Sequence, residues 1–173
     1  DGVDTVMFVA PFVAYIVRYI FYFLRRCARP TGKGMTAMPQ AQAKTITLLG
    51  STGSIGTQSL DVARAQGYRV FGLAANRQVE LLARQIAEFH PRYAAVADPD
   101  AYDKLAAMLA GQSDAPNLLK GPEGLRALAA MDGPDVVLNA VVGIAGLAAS
   151  LAAIESGHDL ALANKESLVT GGH

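Results

Sequence analysis

The chain has 173 residues, about half of them hydrophobic, and its 15 basic and 15 acidic side chains cancel. This length fits one domain with an appendage, and the balanced charge does not indicate a nucleic-acid or acidic partner. The single cysteine, Cys27, excludes an intrachain disulfide framework and lacks the spaced partners that a zinc site needs.

The first predicted element is an apolar and aromatic run over residues 6–24, interrupted only by Arg18. Its length of about 19 residues just reaches the ~20 that a helix needs to cross a bilayer. Arg25, Arg26 and Arg29 follow, which by the positive-inside rule would leave the C-terminal side in the cytoplasm. The run therefore predicts one apolar helix that could span a membrane. The alternative, equally open, is a segment contributed by a gene boundary or start site.

Three segments follow from the composition. Residues 1–29 form the apolar and basic segment, and residues 30–44 have the Pro, Gly, Gln and Ala content of a linker. Residues 45–173 alternate short apolar runs with amphipathic stretches. We predict that this third segment is the globular domain.

The globular segment predicts five strands, at 45–49, 68–74, 93–97, 136–140 and 160–163. Helices are predicted between them, at 55–65, 79–89, 99–109, 122–131 and 144–156. Strands that are apolar on both faces and alternate with helices are typical of a parallel sheet covered by helices. The predicted fold class is therefore α/β, a doubly wound Rossmann-like parallel sheet.

A glycine loop follows the first predicted strand, with Gly50, Gly53 and Gly56 spaced three residues apart. Such a loop lets the backbone approach a diphosphate, which the free N–H groups and positive dipole end of the next helix attract. The loop also offers hydroxyl donors, from Ser51, Thr52 and Ser54. Ser54 is in addition a candidate cap for the helix. The position of the loop favours dinucleotide binding over a purely structural turn.

The end of the second predicted strand indicates which dinucleotide binds. NAD enzymes commonly place an acid there to accept from the ribose 2′-hydroxyl. This sequence instead has Asn76, Arg77 and Gln78, and a guanidinium suits a 2′-phosphate. We predict NADPH, with the alternative that Arg77 only caps a solvated helix start.

Acidic residues cluster once in the globular segment, at Asp98, Asp100 and Asp103. They lie at a predicted helix start, where carboxylates favour the helix dipole, so we expect a structural role rather than a metal site. No metal site is predicted in residues 45–173.

Four segments resemble one enzyme family, 1-deoxy-D-xylulose-5-phosphate reductoisomerase. They are LGSTGSIG at 49–56, FHPRY at 89–93, NAVVGIAGL at 139–147 and LANKESLV at 162–169. The resemblance covers essentially all of residues 45–172, with several motifs in the family's order and spacing. Such an array is far more specific than any single motif.

The resemblance implies roles for individual residues. The contacts on the pyrophosphate side of NADPH would be Thr52, Gly53, Ser54 and Ile55. The adenosine-phosphate loop would be Asn76, Arg77 and Gln78. Residues near the nicotinamide would be Asn164 and Glu166, and Lys165 would touch the sugar-phosphate substrate.

The resemblance also implies a reaction. The family isomerises 1-deoxy-D-xylulose 5-phosphate and reduces the product with NADPH to 2-C-methyl-D-erythritol 4-phosphate, in the non-mevalonate isoprenoid pathway. It uses a divalent metal, Mg or Mn, on an Asp and two Glu that we expect to lie beyond this chain. Family members are typically homodimers, and we expect a cytoplasmic protein that associates with a membrane only if residues 6–24 are native. We therefore expect the cofactor-binding part of the enzyme, inactive alone, with no nucleic-acid partner.

Two other interpretations stay open. One is a membrane-tethered NADP-binding module without catalysis, which requires residues 6–24 to be native. Residues 1–26 also resemble the C-terminal end of a phosphatidate cytidylyltransferase, an integral membrane enzyme, which would make the chain a junction between the tail of one membrane enzyme and the head of a soluble one. The other is a different NADP-linked reductase, such as a semialdehyde dehydrogenase, which would need a catalytic cysteine. Cys27, in the basic flank of the apolar run, is badly placed for that role.

Overall fold

The computed structural model describes residues 44–163, all of which belong to the unit Lys44–His173. Six strands alternate with five helices within these residues. The strands are β1 (Thr45–Leu49), β2 (Arg69–Ala75), β3 (Tyr93–Val96), β4 (Asn117–Lys120), β5 (Val136–Asn139) and β6 (Asp159–Leu162). The helices are α1 (Ser54–Gln66), α2 (Val79–Phe89), α3 (Pro99–Leu109), α4 (Gly121–Ala130) and α5 (Ile144–Glu155).

The six strands form one parallel sheet in the order β4-β3-β2-β1-β5-β6. The chain winds outward from β1 to β4 and then returns to the other side of β1 to form β5. Because parallel crossovers are right-handed, α1 to α3 cover one face and α4 and α5 cover the other. The prediction of a doubly wound, Rossmann-like α/β domain is confirmed.

The core lies on both faces of the central strands. Leu49 and Val137 point to the face covered by α4 and α5, where they pack in one cluster with Leu128. Ile46 and Leu48 are equally buried, and they point to the opposite face because side chains alternate along a strand. The central strands are thus apolar on both sides, as parallel sheets covered by helices require.

The sequence prediction missed one strand, β4. It is an edge strand of four residues, and only its two leucines, Leu118 and Leu119, are partly buried. A segment this short and this exposed gives no apolar run or alternation, so nothing in its composition separates it from a loop. The other predicted elements agree with the structure within two residues at each end.

The predicted apolar helix over residues 6–24 and the linker lie outside the described residues. Within residues 44–163, the structure contains no helix long and apolar enough to cross a membrane. The proposed division at residues 29 and 44 stays a prediction.

Candidate functional site

The sheet reverses its winding between β1 and β5, whose carboxyl ends lie side by side. Two loops leave this edge, the β1–α1 loop (residues 50–53) and the β5–α5 loop (residues 140–143). In open α/β sheets, ligands bind in the crevice at such a reversal. The topology therefore places the candidate site between these two loops.

Glycine is required at the start of the β1–α1 loop and again in the first turn of α1. Gly50 has φ +83°, and a Cβ there would lie 3.0 Å from the backbone of Ala140. A Cβ on Gly56 would lie 2.2 Å from the Gly50 carbonyl oxygen, so α1 can approach the loop only because residue 56 has no side chain. The loop is bound to the neighbouring strand as well, because the N–H groups of Gly50 and Ser51 both donate to the Ala74 carbonyl, at 2.9 and 2.8 Å.

Gly53 is different, because the protein itself does not need glycine there. Its φ of −78° and ψ of 171° are extended values that any residue adopts. An added Cβ would meet only the Gly50 carbonyl oxygen, at an ordinary 3.5 Å, and the residue is exposed. The space in front of Gly53 is therefore open to a ligand, as a cofactor diphosphate at this loop would require.

The start of α1 presents amide groups at this open space. The N–H groups of Thr52, Ser54 and Ile55 have no acceptor within residues 44–163. Unpaired N–H groups and the positive end of a helix dipole attract anions. The predicted cap at Ser54 is wrong: α1 begins at Ser54, Gly53 occupies the cap position, and no side chain caps the helix.

The hydroxyl of Ser51 was expected to face the ligand, and this expectation is also wrong. Ser51 is fully buried, and its Oγ donates to Oε1 of Gln85 at 2.7 Å. The Gln85 Nε2 in turn donates to the Ser51 carbonyl at 2.9 Å. Gln85 lies on the inner side of α2, and sequence reasoning missed it. A polar residue among the buried positions of an amphipathic helix was the available signal.

The end of β2 brings Asn76, Arg77 and Gln78 to the same edge of the sheet, all three exposed. The Arg77 Nε donates to Oδ2 of Asp98 at 2.9 Å, while 78% of its side chain stays accessible. The remaining guanidinium N–H groups are directed to no acceptor among residues 44–163. This edge therefore offers a cation to an anionic ligand. Neither Asn76 nor Gln78 makes a side-chain hydrogen bond with the described residues.

Asp98 comes from the end of β3 and is the cap of α3, where its Oδ1 accepts from the Ala101 N–H at 3.1 Å. This amide, followed by the Arg77 guanidinium, holds the pKa of Asp98 below its usual value. Asp100 lies in the first turn of α3, and Asp103 pairs with Lys120 at 2.7 Å. The predicted structural role of these acids is confirmed for Asp98. Within residues 44–163, no three His, Cys, Asp or Glu side chains converge to hold a metal ion.

The β5–α5 loop is held by a buried side chain at the end of β5. The Nδ2 of Asn139 donates to the Gly146 carbonyl at 2.7 Å and to Oγ of Ser150 at 2.8 Å. Its Oδ1 accepts from the Val141 N–H at 2.9 Å. The loop it holds is apolar toward solvent, because Val142 is 72% exposed. Sequence reasoning gave Asn139 no role.

The predicted substrate residue Lys165 and the predicted nicotinamide-side residues Asn164 and Glu166 lie outside the described residues. They follow β6, the strand next to β5. The structure therefore brings together two of the predicted groups, the β1–α1 loop with the start of α1 and the segment 76–78.

Comparison with known proteins gives a consistent result. A sequence profile of 1-deoxy-D-xylulose 5-phosphate reductoisomerase matches residues 46–172. The protein of that name from Thermosynechococcus vestitus is 46% identical over 142 residues, which are 81% of this chain and 34% of the relative. That from Acaryochloris marina is 47% identical over 131 residues, 75% of this chain and 33% of the relative. The chain thus spans about a third of the length of these relatives.

Solved structures agree. The reductoisomerase of Zymomonas mobilis in complex with NADPH superposes with a TM-score of 0.69 at 44% identity, covering 76% of this chain and 34% of that one. A second reductoisomerase, in complex with NADPH, fosmidomycin and magnesium, gives a TM-score of 0.70 at 37% identity. It covers 75% of this chain and 32% of that one.

Proposed function

The chain belongs to the 1-deoxy-D-xylulose 5-phosphate reductoisomerase family, and we propose that it supplies the NADPH-binding part of such an enzyme. The observation that carries the proposal is the β1–α1 loop. It lies at the winding reversal, its backbone is fixed by Gly50 and Gly56, and the space at Gly53 is open. A related protein of known structure binds NADPH.

In the proposed complex, the cofactor diphosphate lies against the start of α1. The N–H groups of Thr52, Ser54 and Ile55 are available to donate to its oxygens, and Gly53 lets it approach the backbone. The hydroxyls of the half-buried Thr52 and the exposed Ser54 are further donors.

The 2′-phosphate of the adenosine lies, in this proposal, at the end of β2. Arg77 faces this phosphate with the guanidinium N–H groups that do not donate to Asp98. Asn76 and Gln78 lie in the same turn. Arginine suits this role because its planar fork matches phosphate oxygens. The absence of an acid at the end of β2 removes the usual acceptor for the free 2′-hydroxyl of NAD.

We propose that this domain takes part in the complete reaction together with a part that corresponds to the other two thirds of its relatives' length. The reaction is the isomerisation of 1-deoxy-D-xylulose 5-phosphate and the NADPH-dependent reduction to 2-C-methyl-D-erythritol 4-phosphate. We propose Lys165 as a substrate contact and Asn164 and Glu166 as contacts near the nicotinamide. A divalent metal such as magnesium, present with a relative, would supply Lewis-acid polarisation of the substrate oxygens. The residues proposed for this chain bind and orient the cofactor.

The first experiment is a titration of the full 173-residue chain with NADPH and with NADH, followed by nucleotide fluorescence or calorimetry. We expect NADPH to bind at least about tenfold more tightly, as one charge-assisted phosphate contact would give. The Arg77→Gln variant should lose that preference by weakening NADPH binding alone. The matched control is Arg84→Gln, which removes an exposed arginine of α2 away from this edge. Equal affinities in the unaltered chain would refute the role of Arg77.

A second experiment tests the loop. The Gly53→Ala variant should fold with a free energy of unfolding within about 1 kcal/mol of the unaltered chain, since the added methyl has room and only a glycine cap is lost. NADPH binding should nevertheless fall at least about tenfold, because the methyl group occupies the space of the diphosphate. Undiminished binding would mean that the diphosphate lies elsewhere.

A third experiment tests the division of labour between this domain and the rest of the relatives' length. The chain alone, supplied with 1-deoxy-D-xylulose 5-phosphate, NADPH and Mg²⁺, should oxidise no NADPH above background. A measurable rate would show that residues 1–173 are sufficient for catalysis.

A further inference from the structure

Gln85 is a buried polar side chain on the inner face of α2. It is 5% exposed, and the buried positions of the same helix are otherwise apolar, namely Val79, Leu82 and Ile86. Burying an amide stabilises a fold only if its polar atoms are paired, and a leucine here would avoid that requirement. The position therefore calls for a reason beyond packing.

The partner of Gln85 is a single residue of the β1–α1 loop. Gln85 accepts from the Ser51 hydroxyl at 2.7 Å and donates to the Ser51 carbonyl at 2.9 Å. The Ser51 N–H is engaged too, by the Ala74 carbonyl at 2.8 Å. Every polar group of Ser51 is thus directed into the protein, and two of the three are directed to Gln85.

The consequence concerns the peptide bond between Ser51 and Thr52. In a planar trans peptide, the C=O and the N–H point in opposite directions. Because Gln85 holds the Ser51 carbonyl inward, the N–H of Thr52 must point outward, away from α2. If this peptide turned over, a carbonyl oxygen would replace an N–H donor at the start of α1, and its partial negative charge would repel a phosphate.

We propose that Gln85 is a positioning residue for anion binding at the β1–α1 loop. Its Nε2 fixes the orientation of the Ser51–Thr52 peptide so that the Thr52 N–H faces the cofactor diphosphate. This inference rests on the proposed NADPH binding and adds to it a residue that does not itself touch the cofactor. The Nε2 donor is the essential atom, and the bond from the Ser51 hydroxyl is the dispensable one.

Two variants separate these bonds. Gln85→Met and Ser51→Ala both remove the hydroxyl bond, but only Gln85→Met removes the donor to the Ser51 carbonyl. We expect NADPH affinity of the full chain to fall about tenfold in Gln85→Met, the effect of one well-placed donor, and to stay within about twofold in Ser51→Ala. The matched control is Gln112→Met, whose exposed side-chain amide, just beyond the end of α3, donates only to the Met108 carbonyl in the last turn of that helix.

A third variant supplies a signature that a purely structural role would not give. Gln85→Glu keeps the shape, but its carboxylate cannot donate to the Ser51 carbonyl, whereas the protonated carboxyl can. Burial raises the pKa of a carboxyl. The ratio of its NADPH dissociation constant to that of the unaltered chain should therefore be large at pH 8 and approach one as the pH falls toward 5. The same ratio for Gln85→Met should not change with pH.

The outcomes are distinct, provided that circular dichroism shows each variant folded. Unaltered NADPH affinity in Gln85→Met would overturn the positioning role and leave the proposed function intact. An equal loss in Gln85→Met and Ser51→Ala would also overturn it, because the hydroxyl bond would then be the important one. Failure of the unaltered chain to bind NADPH would overturn the proposed function, and this inference with it.

Discussion

The two loops at the winding reversal meet their helices through a similar pair of glycines but present different surfaces. Each enters a helix through a glycine at the cap position, Gly53 or Gly143, and each has a second glycine three residues later. A Cβ on that second glycine, Gly56 or Gly146, would lie 2.2 Å from a carbonyl oxygen of its loop. The close approach of helix to loop thus depends on a missing side chain in both.

The loops differ in what holds them and in what they present. The β1–α1 loop is held by Gln85, 34 residues away on another helix, and it exposes N–H groups and hydroxyls. The β5–α5 loop is held by Asn139, at the end of its own strand, and it is followed by Ile144, which is 84% exposed. One wall of the crevice therefore suits phosphates and the other suits an apolar group. Two loops that both depend on a close, glycine-permitted approach of the helix can thus serve two kinds of contact, even though their cap glycines differ in backbone conformation.

The largest expected effect comes from adding a methyl group at the second glycine of each loop. Gly56→Ala and Gly146→Ala should each lower the free energy of unfolding by about 3 kcal/mol, because backbone atoms must shift. NADPH binding should suffer much more in Gly56→Ala, where the displaced loop is the one proposed to hold the diphosphate. Urea denaturation and NADPH titration measure the two effects. Normal stability of both variants would contradict the shared construction.

The next largest effect concerns the buried side-chain amide of Asn139, which holds the β5–α5 loop. Asn139→Leu removes one hydrogen-bond partner each from the Val141 N–H, the Gly146 carbonyl and the Ser150 hydroxyl, so we expect a loss of about 3 kcal/mol in the free energy of unfolding. Asn117→Leu is the matched control, because Asn117 is exposed and makes only one long bond, 3.4 Å. If the two variants were equally stable, the amide of Asn139 would not be what holds its loop.

The sequence was sufficient for most of the fold because its signals were local. Apolar strands, amphipathic helices and a glycine loop directly after a strand each occupy a few consecutive residues, and five of the six strands followed from them. The edge strand β4 did not, since only Leu118 and Leu119 are partly buried and no pattern marks them.

The site was less predictable because its supports are distant in sequence. The β1–α1 loop and the segment 76–78 could be predicted from position alone. The bond between Ser51 and Gln85 spans 34 residues, and that between Arg77 and Asp98 spans 21. Neither spacing follows from helix or strand periodicity, because each depends on how two elements pack. For the same reason, the direction of the Ser51 hydroxyl was predicted wrongly.

A smaller difference in stability is expected between serine variants of α1 and α5, the helices that follow these loops. Ser59 and Ser150 both donate to a carbonyl of their own helix, from Ile55 and Gly146. Only Ser150 also accepts from Asn139, so Ser150→Ala should cost about 1 kcal/mol more than Ser59→Ala, the net value of one hydrogen bond. Thermal unfolding of the two variants measures the difference. An equal cost would place Ser150 outside the network of Asn139.

The smallest expected effect is a pH dependence of stability near Arg77 and Asp98, on the side of the crevice formed by the β1–α1 loop and the end of β2. Asp98, beside Arg77, has a pKa lowered by the Ala101 N–H and then by the Arg77 guanidinium, whereas residues 140–143 contain no titratable side chain. A carboxyl whose pKa is lower in the folded state stabilises the fold above its unfolded pKa, and this contribution disappears as the pH falls through the folded pKa. Acid should therefore weaken the start of α3 and leave the β5–α5 loop intact.

The Asp98→Asn variant removes the charge and the acceptor for Arg77 together, because the single carbonyl oxygen of asparagine can still cap α3 but its amide NH₂ can only donate. At neutral pH the unaltered chain should be slightly more stable than Asp98→Asn, by the modest amount typical of exposed ion pairs. The difference should hold down to the usual carboxyl pKa of 3.8 and shrink below it. Denaturation curves of both chains between pH 7 and pH 3 measure it. A difference that grew on acidification would mean that the Asp98 carboxylate is destabilising, and that the guanidinium of Arg77 is held by something else.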